Sequence, residues 1–178
     1  MPELVGGIVT LDVATIEVER GLRRKIDNWP RVLNFAMKEI ATGIRYDFLA
    51  TTRSWSSRPE FETLTEATPD GITVVVGTES KIYSFVDLGT RPHDIWPRNA
   101  PALSFMWGGP GSYMPKTVPG WVGSQGGGPT GNRVVRKHVH HPGTKPRDFS
   151  RLIRWRWRAA APGIIRKYAA AWANDTTP

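Results

Sequence analysis

The sequence predicts a domain of the α+β class, and three features of the chain carry that prediction. An apolar stripe with helical spacing covers roughly residues 30–52, a hairpin pattern follows over residues 61–77, and a second helical pattern begins after Pro146. Helices and hairpins in separate blocks, without βαβ alternation, are typical of this class. Because 178 residues are enough for one domain, we expect residues 1–178 to form a single unit.

Composition and charge exclude several classes of protein. The chain has no cysteine, which excludes disulfides and cysteine-ligated zinc. The N-terminal residues lack a signal-peptide pattern, and no apolar run approaches the about 20 residues of a membrane span, so we expect a soluble chain without membrane contact. The net charge is +8. Residues 133–167 hold eleven basic residues and one acid, which predicts an anionic neighbour, either DNA or an acidic protein.

The N-terminal part predicts one strand and one long helix. Apolar residues around a Gly-Gly pair predict a short strand over residues 4–13, and residues 14–29 are mixed and predict at most the start of a helix. Over roughly residues 30–52, apolar side chains recur at steps of three and four, which predicts an amphipathic helix with Pro30 in its first turn. The stripe consists of Leu33, Met37, Ile40, Ile44 and Phe48.

The next segment predicts a hairpin and a short helix. Two β-prone runs over residues 61–77 are joined by Pro69-Asp70-Gly71, in which proline presets φ and glycine accepts a positive φ. A short helical segment over residues 82–86 then ends before Gly89.

A glycine-rich segment separates these elements from the C-terminal helix. A strand interrupted by Pro97 and Pro101 comes first. Residues 107–132 then hold nine glycines and four prolines, so we expect a flexible arm with no share of the core. Val134 and Val135 resume a β pattern and are expected to pair with the strand before the arm. This pairing makes the arm the tip of a long hairpin.

The C-terminal segment predicts a helix with one apolar and one basic face. The apolar face consists of Phe149, Leu152, Ile153, Trp157 and Ala160. The basic face consists of Arg147, Arg151, Arg154 and Arg158. Balancing acids are missing from this face, which favours DNA phosphates or an acidic partner over a merely solvated surface. We expect Trp155 and Trp157 to pack in the core or an interface, and the Pro162-Gly163 pair to break or kink the helix.

The histidines suggest an enzyme as the main alternative. His138 and His140 share one face of a predicted strand, but a polar strand end is favoured over a metal site because cysteines are absent and Asp94 is the one acid nearby. The run from Arg91 to Pro97 superficially resembles the His-x-Ile-x-Pro run of ββα-metal nucleases, in which histidine activates water beside a metal. The residue order here is His93-Asp94, whereas the nuclease run has the acid before the histidine. We therefore predict no enzyme activity, no metal and no cofactor, with a metal-dependent DNA nuclease as the alternative.

Two motifs share a Gly-Thr-basic-Pro corner and bracket the arm: Tyr83-Ser-Phe-Val-Asp-Leu-Gly-Thr-Arg-Pro-His93 and His141-Pro-Gly-Thr-Lys-Pro-Arg-Asp-Phe149. The first resembles the Tyr-x-x-Val-Glu-x-Gly-Thr signature of the tail-completion family of long-tailed bacteriophages, the neck or minor tail proteins of the lambda type. The run from His93 to Phe105 and the second motif resemble later parts of those proteins, so the resemblance covers roughly residues 30–170. Asp148 departs from the family pattern, and we expect it to cap the last helix.

The resemblance implies a structural virion protein without catalytic activity. In this family an N-terminal helix packs on a small antiparallel sheet, and copies form a ring, typically a hexamer, at the neck. The ring joins the head connector to the tail terminator and tube, and genomic DNA passes through its lumen. A tail terminator is the close alternative. The implied location is the virion, after assembly in the host cytoplasm.

The expected contact residues form two groups. Contacts with neighbouring subunits or partners are expected at the corners and on the arm, at Gly89, Thr90, Arg91, Pro92, Trp107, Tyr113, Trp121, Gly143, Thr144, Lys145 and Pro146. Contacts with DNA or an acidic partner are expected at Arg147, Arg151, Arg154 and Arg158.

Overall fold

A computed structural model describes residues 9–12, 29–68 and 71–174. The elements in chain order are β1 (Val9–Asp12), α1 (Trp29–Thr51), β2 (Glu62–Thr68), β3 (Gly71–Gly77), α2 (Lys81–Asp87), β4 (His93–Ile95), β5 (Leu103–Trp107), β6 (Asn132–Arg136), β7 (Val139–His141) and α3 (Phe149–Ala173). The α+β class is therefore confirmed. The expectations for residues 4–8 and 13–28, and for Pro69 and Asp70 of the turn, lie outside the described residues.

The core lies between two helices and a three-stranded antiparallel sheet. The strand order is β1-β3-β2, with β3 in the centre. The predicted apolar stripe of α1 is buried, and it forms one cluster with side chains of β3 and α3. Burial of such a stripe is the main force that holds a helix on a sheet. The predicted helix over residues 30–52 is confirmed to within one residue at each end.

The predicted hairpin and short helix are also confirmed. β2 and β3 pair in antiparallel register from Glu62 opposite Gly77 to Thr68 opposite Gly71. Ser80 caps α2, because its hydroxyl accepts a hydrogen bond from the Tyr83 backbone N–H at 3.3 Å. Beyond α2 the chain leaves the core, touches it again at the centre of the arm, and returns to it at α3.

Two ladders carry the chain out and back. The prediction of a single interrupted strand before the arm is wrong. This segment forms two strands, β4 and β5, and they pair with different partners. β4 pairs with β7, and β5 pairs with β6. The predicted pairing across the arm is confirmed, since Phe105 lies opposite Val134 and Ser104 opposite Val135.

The arm, residues 107–132, is docked on the domain at its centre, and the expectation that it takes no share of the core is wrong. Val122 packs against the core cluster. Thr117 is buried, and its hydroxyl accepts a hydrogen bond from Arg147 Nε at 3.3 Å. The Ser124 hydroxyl accepts one from the Ser54 backbone N–H at 3.1 Å. These contacts come from isolated residues without apolar periodicity, so the sequence gives no signal for them.

α3 continues through Pro162, so the helix does not break there, and the other part of that expectation, a kink, stays a prediction. A proline inside a helix removes one hydrogen bond and crowds the preceding turn. Ala161 and Ile165 on either side are buried against the core, and their packing holds the helix together across the proline.

Candidate assembly surfaces

The two corner motifs meet in space and form a single joint. The Thr90 backbone N–H donates to the Thr144 carbonyl at 2.9 Å, and the Thr144 N–H donates back to the Thr90 carbonyl at 3.1 Å. The Thr90 hydroxyl also accepts from the Thr144 N–H at 3.0 Å. We call residues 89–92 and 143–146 the paired corners. Through them the chain leaves and re-enters the domain.

Both corner glycines are required by conformation and by space. Gly89 has φ +77°, and a Cβ there would lie 2.6 Å from the Thr144 carbonyl oxygen. Gly143 has φ +88°, and a Cβ there would lie 2.4 Å from the Thr90 carbonyl oxygen. An L side chain rarely adopts such a φ, and both contacts are with backbone that cannot move aside.

Asp87, two residues before the first corner, caps α3. It is fully buried, and its Oδ1 accepts a hydrogen bond from the Ser150 backbone N–H at 3.2 Å. Its Oδ2 accepts a second from the Ser150 hydroxyl. The carboxylate thus satisfies donors at the positive end of the helix. Sequence reasoning missed this role, because the acid in the first motif is visible but nothing links it to a helix that begins 62 residues later.

Asp148 does not cap the helix with its side chain, so that expectation is wrong. It occupies the N-cap position with φ 57° but makes no side-chain cap hydrogen bond. Its carboxylate instead pairs with Arg151 Nη2 at 2.7 Å. The left-handed backbone at this position directs the carboxylate elsewhere, and Asp87 supplies the cap.

Tyr83, the first residue of the motif, ties α2 to the core. Its ring lies edge-on to Phe48 and Phe61, with centroids 5.9 and 5.1 Å away. Its hydroxyl lies 3.1 Å from the Thr51 hydroxyl. Burial raises the pKa of Tyr83 well above its usual value, so the phenol stays neutral. The motif residues Tyr83, Asp87 and Gly89 are therefore explained by the fold itself.

The paired corners have an inner and an outer half. The glycines and threonines, Gly89, Thr90, Gly143 and Thr144, are half-buried. The basic residues and prolines, Arg91, Pro92, Lys145 and Pro146, are exposed. The structure thus brings all eight predicted corner residues together, and it leaves the outer four accessible to a neighbour.

The predicted aromatic residues of the arm are exposed. The exposed fractions of Trp107, Tyr113 and Trp121 are 46%, 57% and 46%. Sequence reasoning did not single out further exposed apolar side chains on the arm and its base, namely Trp96, Met106 and Met114. It also missed an exposed apolar strip on α2 formed by Ile82, Phe85 and Leu88. Large exposed apolar groups on a folded domain are typical of interaction sites.

The four arginines predicted to contact DNA or an acidic partner lie in two environments. Arg151, Arg154 and Arg158 are exposed on one side of the helix, and we call them, with Trp155, the basic face. Arg147 lies before the helix begins and is held by Thr117 and by the Lys145 carbonyl, so it stands apart from this face.

The two tryptophans between these arginines also differ in environment. Trp157 is half-buried against the core cluster, and its indole N–H donates to Asp47 Oδ2 at 2.8 Å. This packing agrees with the expectation of a core or interface role. Trp155 is 77% exposed, which leaves it available to a partner. Residues two apart on a helix point about 200° apart, which separates the two environments.

The four histidines cluster at the β4–β7 ladder. His138 Nε2 and His140 Nδ1 each lie 2.9 Å from Asp94 Oδ1, and His93 stacks on His141 at 5.1 Å between ring centroids. Hydrogen bonds from His140 and then His138 lower the pKa of Asp94. Burial, followed by repulsion from His93 and His140, lowers the pKa of His141. Within the described ranges, no group of three histidine or acidic side chains has an arrangement that would hold a metal ion.

Comparisons of the chain with protein-family models, with curated proteins and with solved structures found no match. None of the helices in the described part of the chain combines the length and apolar character needed to cross a membrane.

Proposed function

We propose that this chain is a structural protein of the bacteriophage neck, whose copies form a ring that joins the head connector to the tail terminator and tube. The observation that carries the proposal is the hydrogen-bonded joint between the paired corners. The two motifs that resemble the tail-completion family are 54 residues apart at Thr90 and Thr144, yet they are hydrogen-bonded to each other and form one structural unit. They anchor a long extension on a small α+β domain.

The chemistry of the accessible surfaces supports assembly. The arm presents aromatic side chains to solvent, and tryptophan and tyrosine are enriched at protein interfaces. The basic face adds positive charge that suits an acidic subunit or the DNA that passes through a neck ring. An extension that is anchored on the domain and keeps aromatic side chains exposed is suited to contact a neighbouring subunit.

The location of the chain in particles tests this proposal. We expect antibodies against the chain to label one site per particle, at the junction of head and tail, in electron micrographs of purified virions. A purified chain should also form rings with a central channel in negative stain. Label that is spread over the capsid, or absence of the chain from purified virions, would contradict a neck role.

A nuclease assay separates the proposal from the enzyme alternative. Plasmid DNA incubated with the purified chain and Mg²⁺, Mn²⁺ or Zn²⁺ should remain intact. The matched control is His93→Ala, since His93 is the residue that a nuclease mechanism would use. Cleavage by the wild-type chain that is lost in His93→Ala would overturn the structural proposal.

A further inference from the structure

The β2–β3 hairpin has one face toward the helices and one face toward solvent. Alternate residues of β3 are buried in the core, namely Ile72, Val74 and Val76. Because side chains alternate along a strand, Thr73 and Val75 point to the other face, as do the β2 residues opposite them. The register places Leu64 opposite Val75 and Glu66 opposite Thr73. Glu62, Leu64 and Glu66 therefore share the solvent side.

These three residues of β2 form a surface that we call the acidic face. Leu64 is 49% exposed, and the two flanking glutamates are also exposed. Neither Glu62 nor Glu66 forms an ion pair with a residue in the described ranges. An apolar side chain between two unpaired carboxylates favours a partner with an apolar group between two cations.

The basic face of α3 has that composition. Trp155 is 77% exposed and lies between Arg151 and Arg158 on the helix surface, four residues after one and three before the other. Arg154 and Arg158 form no ion pair with a described residue, and Arg151 has Asp148 as its partner. The face therefore keeps a net positive charge around an exposed aromatic ring, the residue type that most often anchors protein interfaces.

The two faces also match in dimension. Seven residues of helix separate Arg151 from Arg158, a rise of about 10 Å. Four residues of strand separate Glu62 from Glu66, about 13 Å. The apolar residue lies near the middle of each span. Arginine side chains are long enough to make up the difference, so both ion pairs can form with Trp155 against Leu64.

We propose that the basic face of one copy docks on the acidic face of the next copy, with Trp155 against Leu64 and arginines on Glu62 and Glu66. This inference rests on the proposed function, because it names the contact between subunits of the ring. The acidic face points away from both helices, and the basic face lies on the side of α3 opposite its buried residue Ile153. The contact joins two unlike surfaces and is therefore head-to-tail, and it forms a ring where the rotation between copies closes.

Charge exchange between the two faces tests this contact. The helix variant is Arg151→Glu/Arg158→Glu, which reverses the two arginines whose span matches the acidic face, and the sheet variant is Glu62→Lys/Glu66→Lys. We expect each to weaken self-association at least tenfold in analytical ultracentrifugation, because like charges then face each other. An equimolar mixture should assemble again, since each variant supplies the face that the other lacks. A chain with all four changes should also assemble alone.

Two controls accompany the test. Arg53→Glu/Arg98→Glu has the same change in net charge as the helix variant at exposed positions outside both faces, and it should assemble like the wild type. Trp155→Ser should weaken assembly without changing net charge. Wild-type assembly should weaken as salt rises, because exposed charges are screened.

Several results would overturn the contact. These are a wild-type chain that stays monomeric at high concentration, assembly that neither charge reversal weakens, and a mixture that fails to assemble. A helix variant that loses affinity for duplex DNA but still forms rings would assign the basic face to DNA instead. A sheet variant that loses monomer stability but still assembles would assign Glu62 and Glu66 to the stability of the fold instead. Rings that survive both charge reversals refute this contact and leave the neck proposal intact. Head-to-tail assembly by a chain that is absent from virions supports this contact and refutes the neck proposal.

Discussion

The core and the arm use aromatic side chains in opposite ways. In the core, Phe48, Phe61 and Tyr83 are buried and contact one another, so their stabilisation comes from removal from water. On the arm, Trp107 and Tyr113 face solvent, and the local backbone is held by ladder hydrogen bonds and glycine turns. The comparison teaches that fold stability depends on the core and the paired corners. The arm's aromatic groups stay exposed, which supports the proposal that they contact other molecules.

Substitutions at the paired corners are expected to lower the free energy of unfolding the most. Gly89→Ala forces an L residue to φ +77° and places its Cβ 2.6 Å from the Thr144 carbonyl oxygen. We expect the free energy of unfolding to fall by roughly 3 kcal/mol. The matched control is Gly163→Ala in α3, where no atom lies within 4 Å of the added Cβ. Chemical denaturation should show a gain of about 0.5–1 kcal/mol there. Equal effects at the two sites would contradict the role of the corner.

The cap on α3 should have the next largest effect. Asp87→Ala leaves the Ser150 donors without their buried acceptor, and we expect a loss of about 2 kcal/mol in the free energy of unfolding. Asp148→Asn is the control, because that carboxylate is partly exposed and, among the described residues, has Arg151 as its ion-pair partner. Its loss should stay within about 0.5 kcal/mol in the same denaturation experiment. The reverse order would return the capping role to Asp148.

A smaller, pH-dependent effect is expected at the base of the arm. The pKa of His141 is lowered in the folded chain, so the folded state holds fewer protons than the unfolded state below the usual value of about 6.5. Its contribution to stability is present above that value and is lost as pH falls through the lowered pKa. The pKa of Asp94 is also lowered, from 3.8, so its contribution is lost only at more acidic pH.

Denaturation between pH 7.5 and 5.5 measures the His141 contribution. We expect stability to decline by less than about 1 kcal/mol over this window. The decline should be smaller in His141→Gln, in which the titrating group is removed. An identical pH profile in the variant would show that His141 is not the responsible group.

The exposed arm residues should have the smallest effect on stability and a large effect on assembly. We expect Trp107→Ser/Tyr113→Ser to change the free energy of unfolding by no more than about 0.5 kcal/mol, since both side chains face solvent. Joining of heads to tails should nevertheless fail in a complementation assay. Tyr46→Ser is the control, because Tyr46 is 73% exposed on α1, away from the arm. Normal joining by the arm variant would remove these residues from the interface.

Local patterns predicted the parts of the fold that depend on local signals. The apolar stripe from Leu33 to Phe48 predicted α1 correctly, because the helical period is a property of one continuous segment. The positive φ at Gly89 and Gly143 agrees with their place in corner motifs. The two-strand division around Pro97 was missed, because proline marks an interruption but does not say which partner each half pairs with.

The features that depend on distant contacts could not be predicted. Asp87 caps a helix whose Ser150 lies 63 residues away, and nothing in the sequence measures that distance. The docking of Val122 and Thr117 gave no periodic signal either. At the candidate surfaces, the arginine spacing predicted Arg151, Arg154 and Arg158 of the basic face and wrongly included Arg147. The acidic face could be identified only from the structure. The register of β2 on β3 determines which side of the sheet Leu64 faces.

The joint at Thr90 and Thr144 has a consequence for how such a chain can change in length. It closes a loop of 54 residues, and residues added at an exposed part of that loop, outside its docked contacts, would act on the domain mainly through the entropy of closing a longer loop. That cost grows only with the logarithm of length, about 0.6 kcal/mol for each doubling. Insertions near the exposed residues Gly126 and Gly127 would therefore leave the α+β domain almost unaffected. The reach of the chain toward a neighbour can then be adjusted separately from the stability of the domain that carries it.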